Sequence, residues 1–305
     1  MAQHDHTYAV IMAGGVGSRF WPMSRSGRPK QFLDILDRGR TLIQMTADRL
    51  EPMVPADRMY VVTNARYKAD ILDQLPGIPE DQVLCEPFMR NTAPCLAYAA
   101  QRIVQRDSEA TMVVAPADHL IADEAGFRDV LSVAVDRASE TNQLLTLGIT
   151  PMRPDTGYGY IQYEDLPDAG DDRLRQVRTF TEKPDRELAD QFLASGDFCW
   201  NAGIFVWSVQ TILDRFEDQM PDLHALFEER KADFGTRAEE EAILAIYGAA
   251  ENISIDYGIM EKAPNVGVVL GDYGWSDLGT WGSLYDTLDK EGDAHANSGA
   301  TLITE

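Results

Sequence analysis

Glycines and cations crowd one short stretch near the start of the chain. Residues 13–31 read AGGVGSRFWPMSRSGRPKQ, a loop from Ala13 through Gly14, Gly15, Gly17 and Ser18, with Arg19 and Lys30 flanking it. Glycine lets the backbone turn where a Cβ would clash. Successive N–H groups in such a turn form a nest for an anion, while Arg19 adds a planar fork of donors and Lys30 a point charge. The chemistry this set suits is the wrapping of a phosphate chain, with a triphosphate as the guest. Two other glycine loops are excluded by spacing: the dinucleotide fingerprint G-x-G-x-x-G fails at Phe20, and the Gly-Lys-Ser/Thr end of the P-loop is absent.

Carboxylates and amides recur at the ends of later apolar runs. Asp118 stands just past the run 111–115 (TMVVA), where a short, hard carboxylate suits Mg²⁺ bridged to phosphate oxygens, although it could equally cap the next helix. His119 reads as a neighbour that orients this carboxylate. Asp277 lies between the apolar run 266–270 and a helix beginning near Thr280, so it can face Asp118 across a cleft. Two carboxylates on one ion, with phosphates and waters filling the octahedron, is a common Mg²⁺ arrangement. Five further pieces remain open on their residues alone. Gly157 and Gly159 in DTGYGYI permit approach to a ligand or a tight turn, and Glu182-Lys183-Pro184 reads as a surface pair worth well under ~1 kcal/mol. Asn201 in WNAGIFVW offers donor and acceptor or begins a core strand, and Asp256 in SIDYGIME starts a capped helix. In EPFMRNTAP (86–94), Thr92 and Pro94 read as a capped helix start.

Taken together, these stretches resemble the signature of nucleotidyltransferases that activate sugar phosphates. G-G-x-G-[ST]-R followed by Pro-Lys, with WPMSR (21–25) and PKQF (29–32), has the form found in mannose-1-phosphate guanylyltransferases, and the later motifs follow in family order over residues 8–285. The resemblance implies GTP and mannose 1-phosphate as partners and GDP-mannose and pyrophosphate as products. It implies Arg19 and the glycine loop on the β- and γ-phosphates, Lys30 at the α-phosphorus, and Arg90 and Asn91 facing the base or ribose. APADH (115–119) matches the family's metal-binding strand end, so Mg²⁺ or another divalent cation would sit on Asp118 and Asp277. Gly159 would lie close to the sugar, with Glu182 and Asn201 on its hydroxyls, Lys183 on its phosphate and Asp256 beside it.

Such residues need a scaffold to gather them. Apolar runs at 8–12, 58–63, 82–85, 111–115 and 144–147 alternate with helical spacing at 42–50, 67–75 and 127–141, and with a helix burying Leu96, Ala99, Ala100 and Ile103. Connections too long for hairpins favour parallel strands with ligands beyond their carboxyl ends. Strands at 160–163, 176–181 and 266–270 follow, with helices at 185–195 and through most of 209–247, whose polar middle (228–241) is expected to be a solvated surface. The expected class is α/β: a Rossmann-like, mixed, mainly parallel sheet flanked by helices, which the resemblance makes a nucleotide-diphospho-sugar transferase fold with an incomplete or short C-terminal extension. Residues 1–290 are expected to form the catalytic domain and 291–305 the start of that extension, in which a first strand fits.

Composition narrows the classes. No apolar run approaches the ~18 residues of a membrane helix, and residues 1–7 have no signal-like core, so a cytoplasmic protein off the membrane is expected. Cys85, Cys95 and Cys199 lack C-x-x-C spacing and read as reduced thiols. A net charge of -23, from 50 acids against 27 Lys and Arg, excludes a nucleic-acid surface and makes local cations necessary for binding a nucleotide. The same acid excess suits a high-salt setting. Rival readings are a transferase for a heptose or glucose 1-phosphate or another nucleoside triphosphate, and a catalytically silent paralogue; a homodimer is carried as an option.

Overall fold

Why the early apolar runs are unbroken becomes clear once both faces of the sheet are seen to be covered. The computed structural model describes residues 5–15, 20–25, 27–166, 170–287, 290–291, 295–298 and 301–304. Its first half gives β1 (Thr7–Met12), α1 (Leu42–Leu50), β2 (Met59–Asn64), α2 (Lys68–Gln74), β3 (Val83–Glu86), α3 (Thr92–Arg106), β4 (Thr111–Pro116), β5 (Leu120–Ile121), α4 (Glu124–Glu140) and β6 (Leu144–Ile149). The second half gives β7 (Gly159–Asp165), β8 (Leu174–Glu182), α5 (Arg186–Ser195), β9 (Phe198–Ser208), α6 (Val209–Gln219), α7 (Pro221–Glu228), α8 (Glu239–Ala249), β10 (Val266–Gly271), β11 (Trp275–Ser276) and α9 (Trp281–Thr287).

Nine strands form one sheet in the order β3-β2-β1-β4-β9-β6-β10-β8-β7. β8 and β9 run against all the others, so the sheet is mixed and mainly parallel. Successive residues of β1 show the layering: Tyr8 and Val10 pack with side chains of α3, α6, α7 and α8, while Ala9 and Ile11 pack with α1, α2 and α4. Strands buried on both sides lose the alternation of a half-exposed sheet. A third, smaller cluster joins Phe20, Leu33, Ile35, Leu36 and Leu42 to Leu120, Leu278 and Leu284. That cluster fastens the segment after the glycine loop against the segment after β11.

Several local expectations change in detail. Thr92 opens α3, but the cap is Asn91, which sits at φ 65° and accepts from the Thr92 N–H; the Thr92 hydroxyl accepts from the Ile255 N–H. The polar stretch 228–241 is not simply solvated, because Glu239 accepts from the Tyr98 hydroxyl and pairs with Arg102 at 2.5 Å. Asp256 begins a five-residue π-helix (Asp256–Met260). Beyond residue 287, β12 (Lys290–Glu291), β13 (His295–Ser298) and β14 (Thr301–Thr304) pair as an antiparallel ladder, where one strand was expected. No described helix is long and apolar enough to cross a membrane.

Candidate functional site

Two turns far apart in sequence are laced together at the carboxyl side of the sheet. β5 follows Asp118, β11 precedes Asp277, and they pair antiparallel as Trp275 with Ile121 and Ser276 with Leu120. The lacing continues where Ala122 and Asp123 donate their N–H groups to the carbonyls of Gly274 and Tyr273, at 3.1 and 3.0 Å. Gly274 is required: its φ is +62°, and a Cβ there would meet the Ala122 Cβ at 2.7 Å. The cap of α4 is Asp123, which accepts from the Gly126 N–H, so Asp118 is free of the capping duty that was its alternative.

Lys30 joins the two turns. Its side chain is 3% exposed, and Nζ lies 2.9 Å from Asp118 Oδ2 while donating to the backbone carbonyls of Asp277 and Leu278 at 2.7 and 3.0 Å. The Phe20 ring lies beneath it, 5.5 Å from the ammonium. Desolvation opposes the charge on Asp118, but Lys30 and His119 outweigh it and hold the carboxyl below its ordinary range. Asp277 Oδ1 accepts from the Tyr158 hydroxyl at 3.0 Å and from the Gly279 N–H at 2.9 Å. His119 Nδ1 accepts from Trp275 Nε1 at 3.2 Å, which leaves its other nitrogen to carry the proton. Burial pushes the His119 pKa down, against the pull of Asp118 and Asp277.

Of the glycine loop, Ala13, Gly14 and Gly15 are described; Gly17, Ser18 and Arg19, assigned to phosphate binding by sequence, lie outside the described residues. The loop start is tied by Gln31, whose buried amide donates to the Ala13 and Gly15 carbonyls at 3.0 and 2.9 Å. Thr63 adds its hydroxyl to Ala13 at 3.0 Å. Below it lies a carboxyl that spacing alone did not single out. Glu86 is buried, accepts from the Tyr247 hydroxyl at 2.9 Å, and has Oε2 3.2 Å from where a Cβ on Gly14 would stand. Burial pushes its pKa up to about 7. Arg90 and Asn91 serve the neighbouring helices: Arg90 Nε donates to the Tyr247 carbonyl at 2.9 Å, and Asn91 caps α3.

A cleft of about 230 Å³ opens beside Asp277, lined among others by His119, Tyr158, Gly159, Glu182, Lys183, Asn201, Asp256 and Trp275. Every residue assigned by sequence to the sugar side is therefore in one place. Gly159 begins β7 opposite Glu182 on β8, and a Cβ there would meet Glu182 Oε2 at 2.5 Å, so the glycine answers to close approach as well as to a turn. Glu182 pairs with Lys183, which is 57% exposed and held at φ 49°, a sparsely populated conformation for a side chain of its kind. Asn201 is more committed than a free amide: its oxygen accepts from the Thr146 hydroxyl at 2.9 Å and the Gly203 N–H at 3.1 Å, and its nitrogen donates to Asp256 Oδ1 at 3.0 Å. Burial, and then Glu182, push Asp256 up to about 6.

Tyr158 is the clearest residue missed by the sequence reading. Its ring stands edge-on between Trp200 and Trp275, with centroids 5.0 and 5.1 Å away, which fixes the hydroxyl on Asp277. The only signal was its place in the GYGYI run.

The donor set fits a hard divalent cation. Lys30 touches the Asp118 carboxylate and the Asp277 backbone carbonyl, and the two aspartates offer oxygen donors alone. Among the described residues there is no group of three or more His, Cys, Asp or Glu side chains that would cage a metal. Such a pair matches a cation that keeps waters and takes its remaining oxygens from phosphate.

Comparisons with known proteins show which family the chain resembles over its length. The profile of the family described as "Nucleotidyl transferase" matches residues 8–293. The chain is 38% identical over 301 residues to mannose-1-phosphate guanylyltransferase ManC of Salmonella typhimurium, covering 94% of this chain and 61% of that protein. It is 37% identical over 303 residues to the xanthan biosynthesis protein XanB of Xanthomonas campestris, covering 96% of this chain and 62% of the relative. This chain thus spans about three-fifths of the length of these curated relatives. A crystal structure from Thermus thermophilus, described as a mannose-1-phosphate geranyltransferase, superposes with a TM-score of 0.83 at 34% identity, covering 94% of this chain and 80% of that one.

Proposed function

The chain belongs to the nucleotidyl transferase family, and on that premise we propose that it transfers GMP from GTP to mannose 1-phosphate, giving GDP-mannose and pyrophosphate. The observation that carries this reading is the meeting of Lys30, Asp118 and Asp277 beside a cleft holding all five sugar-side residues. The named relatives supply the base and the sugar.

In the proposed reaction an oxygen of the sugar phosphate attacks the α-phosphorus of the nucleotide in line, and pyrophosphate leaves. Such a step asks the protein for positioning and charge neutralisation more than for covalent chemistry. Glu182, Asp256 and the glycine at 159 shape the sugar's seat, and Asn201, with its oxygen already engaged, fixes Asp256 rather than accepting from the sugar. Lys183, exposed beside Glu182, would neutralise the sugar's phosphate in this reading. Lys30 holds the two acidic turns at a fixed separation and puts a buried positive charge beside the reacting phosphates. A divalent cation, which we take to be Mg²⁺, would be held by Asp118 and Asp277 and would neutralise phosphate charge. Arg19, read from sequence, completes the set on the leaving pyrophosphate.

The test is a panel of nucleoside triphosphates and sugar 1-phosphates with pyrophosphate release as the readout. GTP with mannose 1-phosphate is expected to give the highest kcat/KM. A preference for a uridine or thymidine nucleotide, or for another sugar, would replace this assignment within the family, and release from no pair would refute turnover.

A further inference from the structure

α1 carries a charge that the proposed reaction leaves unused. Arg49 is 3% exposed, and its Nε and Nη2 have no hydrogen-bond partner among the described residues. Its remaining nitrogen, Nη1, lies 3.4 Å from the His119 carbonyl oxygen, and Nε is 3.8 Å from Glu124 Oε1. Burial lowers its pKa only to about 10, so the guanidinium stays charged at neutral pH. Buried polar groups are normally satisfied, and an exception calls for a reason.

Its neighbours supply one. Thr46, on the same helix, donates its hydroxyl to the Ala117 carbonyl at 3.4 Å. Two α1 side chains therefore reach the carbonyls of the residues on either side of Asp118. From α4, Arg128 donates to the Arg49 carbonyl at 3.4 Å and lies 3.6 Å from Glu124. α1 thus braces the turn at 117–119, and α4 is tied to α1 behind it.

We propose that Arg49 is a positioning residue: with Thr46 it sets the placement of the turn bearing Asp118, and through it the affinity of the Asp118 and Asp277 pair for a divalent cation. The inference rests on the reading of those two carboxylates as cation ligands. A role through charge alone predicts unchanged cation binding in a variant that keeps the charge.

Mn²⁺ binding to the full chain without nucleotide, followed by the electron paramagnetic resonance of the free ion, separates these outcomes when melting temperature is recorded in parallel. Arg49→Lys keeps the charge but loses the fork, and it should raise the Mn²⁺ Kd about tenfold, as outer-shell changes at metal sites do. Thr46→Val should raise it by a smaller factor. Unchanged or tighter Mn²⁺ binding in folded Arg49→Lys overturns the proposal, and if that variant does not fold, an unchanged Kd in Thr46→Val does so. Equal Mn²⁺ binding by wild type and Asp277→Asn would refute the carboxylate pair itself, and the inference with it.

Discussion

Each hydrogen of the Lys30 ammonium has an acceptor within its own chain, one of them on Asp118 and two on the backbone at 277 and 278. A cation so engaged is fixed in place before any ligand arrives, and preorganised charge of this kind needs no rearrangement as the reaction proceeds. Tyr158 does the same for Asp277 with a single hydroxyl. Tyr158→Phe keeps the aromatic packing and removes that bond, so the divalent-cation concentration giving half-maximal turnover should rise about tenfold. A cation titration of pyrophosphate release checks this, and an unmoved midpoint would count against the role. Glu86 gives a second prediction. Its folded pKa, about 7, stands above the ordinary glutamate value of 4.5, so the native state holds a proton that the unfolded chain has released between those values. Its contribution to stability should therefore fall as pH rises through that window, by about 3 kcal/mol at most. Comparing wild type with Glu86→Gln by denaturant unfolding from pH 5 to pH 8 should show the slope difference, and parallel profiles would contradict it.

Among the elements, the short ladder of β5 and β11 ties the turn bearing Asp118 to the one bearing Asp277. Gly274→Ala would place a methyl on Ala122 and strain a left-handed backbone, so we expect a loss of about 1–3 kcal/mol in stability together with weakened cation binding. Chemical denaturation and Mn²⁺ binding measured on one preparation check this; wild-type values for both would contradict it. This ladder was not legible in the sequence. Two-residue strands have no period to detect, and Leu120–Ile121 and Trp275–Ser276 declare themselves as strands only through each other. The long elements behave otherwise. Helical spacing at 42–50 coincides with α1, and the run TMVVA falls inside β4, because burial on two faces leaves a continuous apolar signature. Asn201 shows the intermediate case: its position at the cleft was readable, while the Thr146 and Gly203 donors that occupy its oxygen come from pairing across β6 and a tight turn.

At the scale of the whole molecule, a net charge of -23 surrounds a site that we propose accepts polyanions. Lys30 and Arg49 are both buried, so solvent ions screen their fields far less than those of the acidic surface. Added salt should therefore relieve self-repulsion at the surface and raise the melting temperature between about 0.1 M and about 2 M NaCl. A scan with no gain would argue against that electrostatic strain. The convergence of the segment leaving β1, the turn after β4 and the turn after β10 is a property of topology: all three strands end on the same side of the sheet, and the small cluster of Phe20, Leu120 and Leu278 joins the segments that follow. Sequence motifs named the participants, but only the fold shows that Lys30 ties Asp118 to the turn at 277–278 while Gln31 ties the loop start. The most direct test is pyrophosphate release from GTP and mannose 1-phosphate by wild type and by Asp277→Asn. A fall of ~10² to 10³ in turnover at an unchanged melting temperature is the expected result, and wild-type turnover in the variant would contradict it.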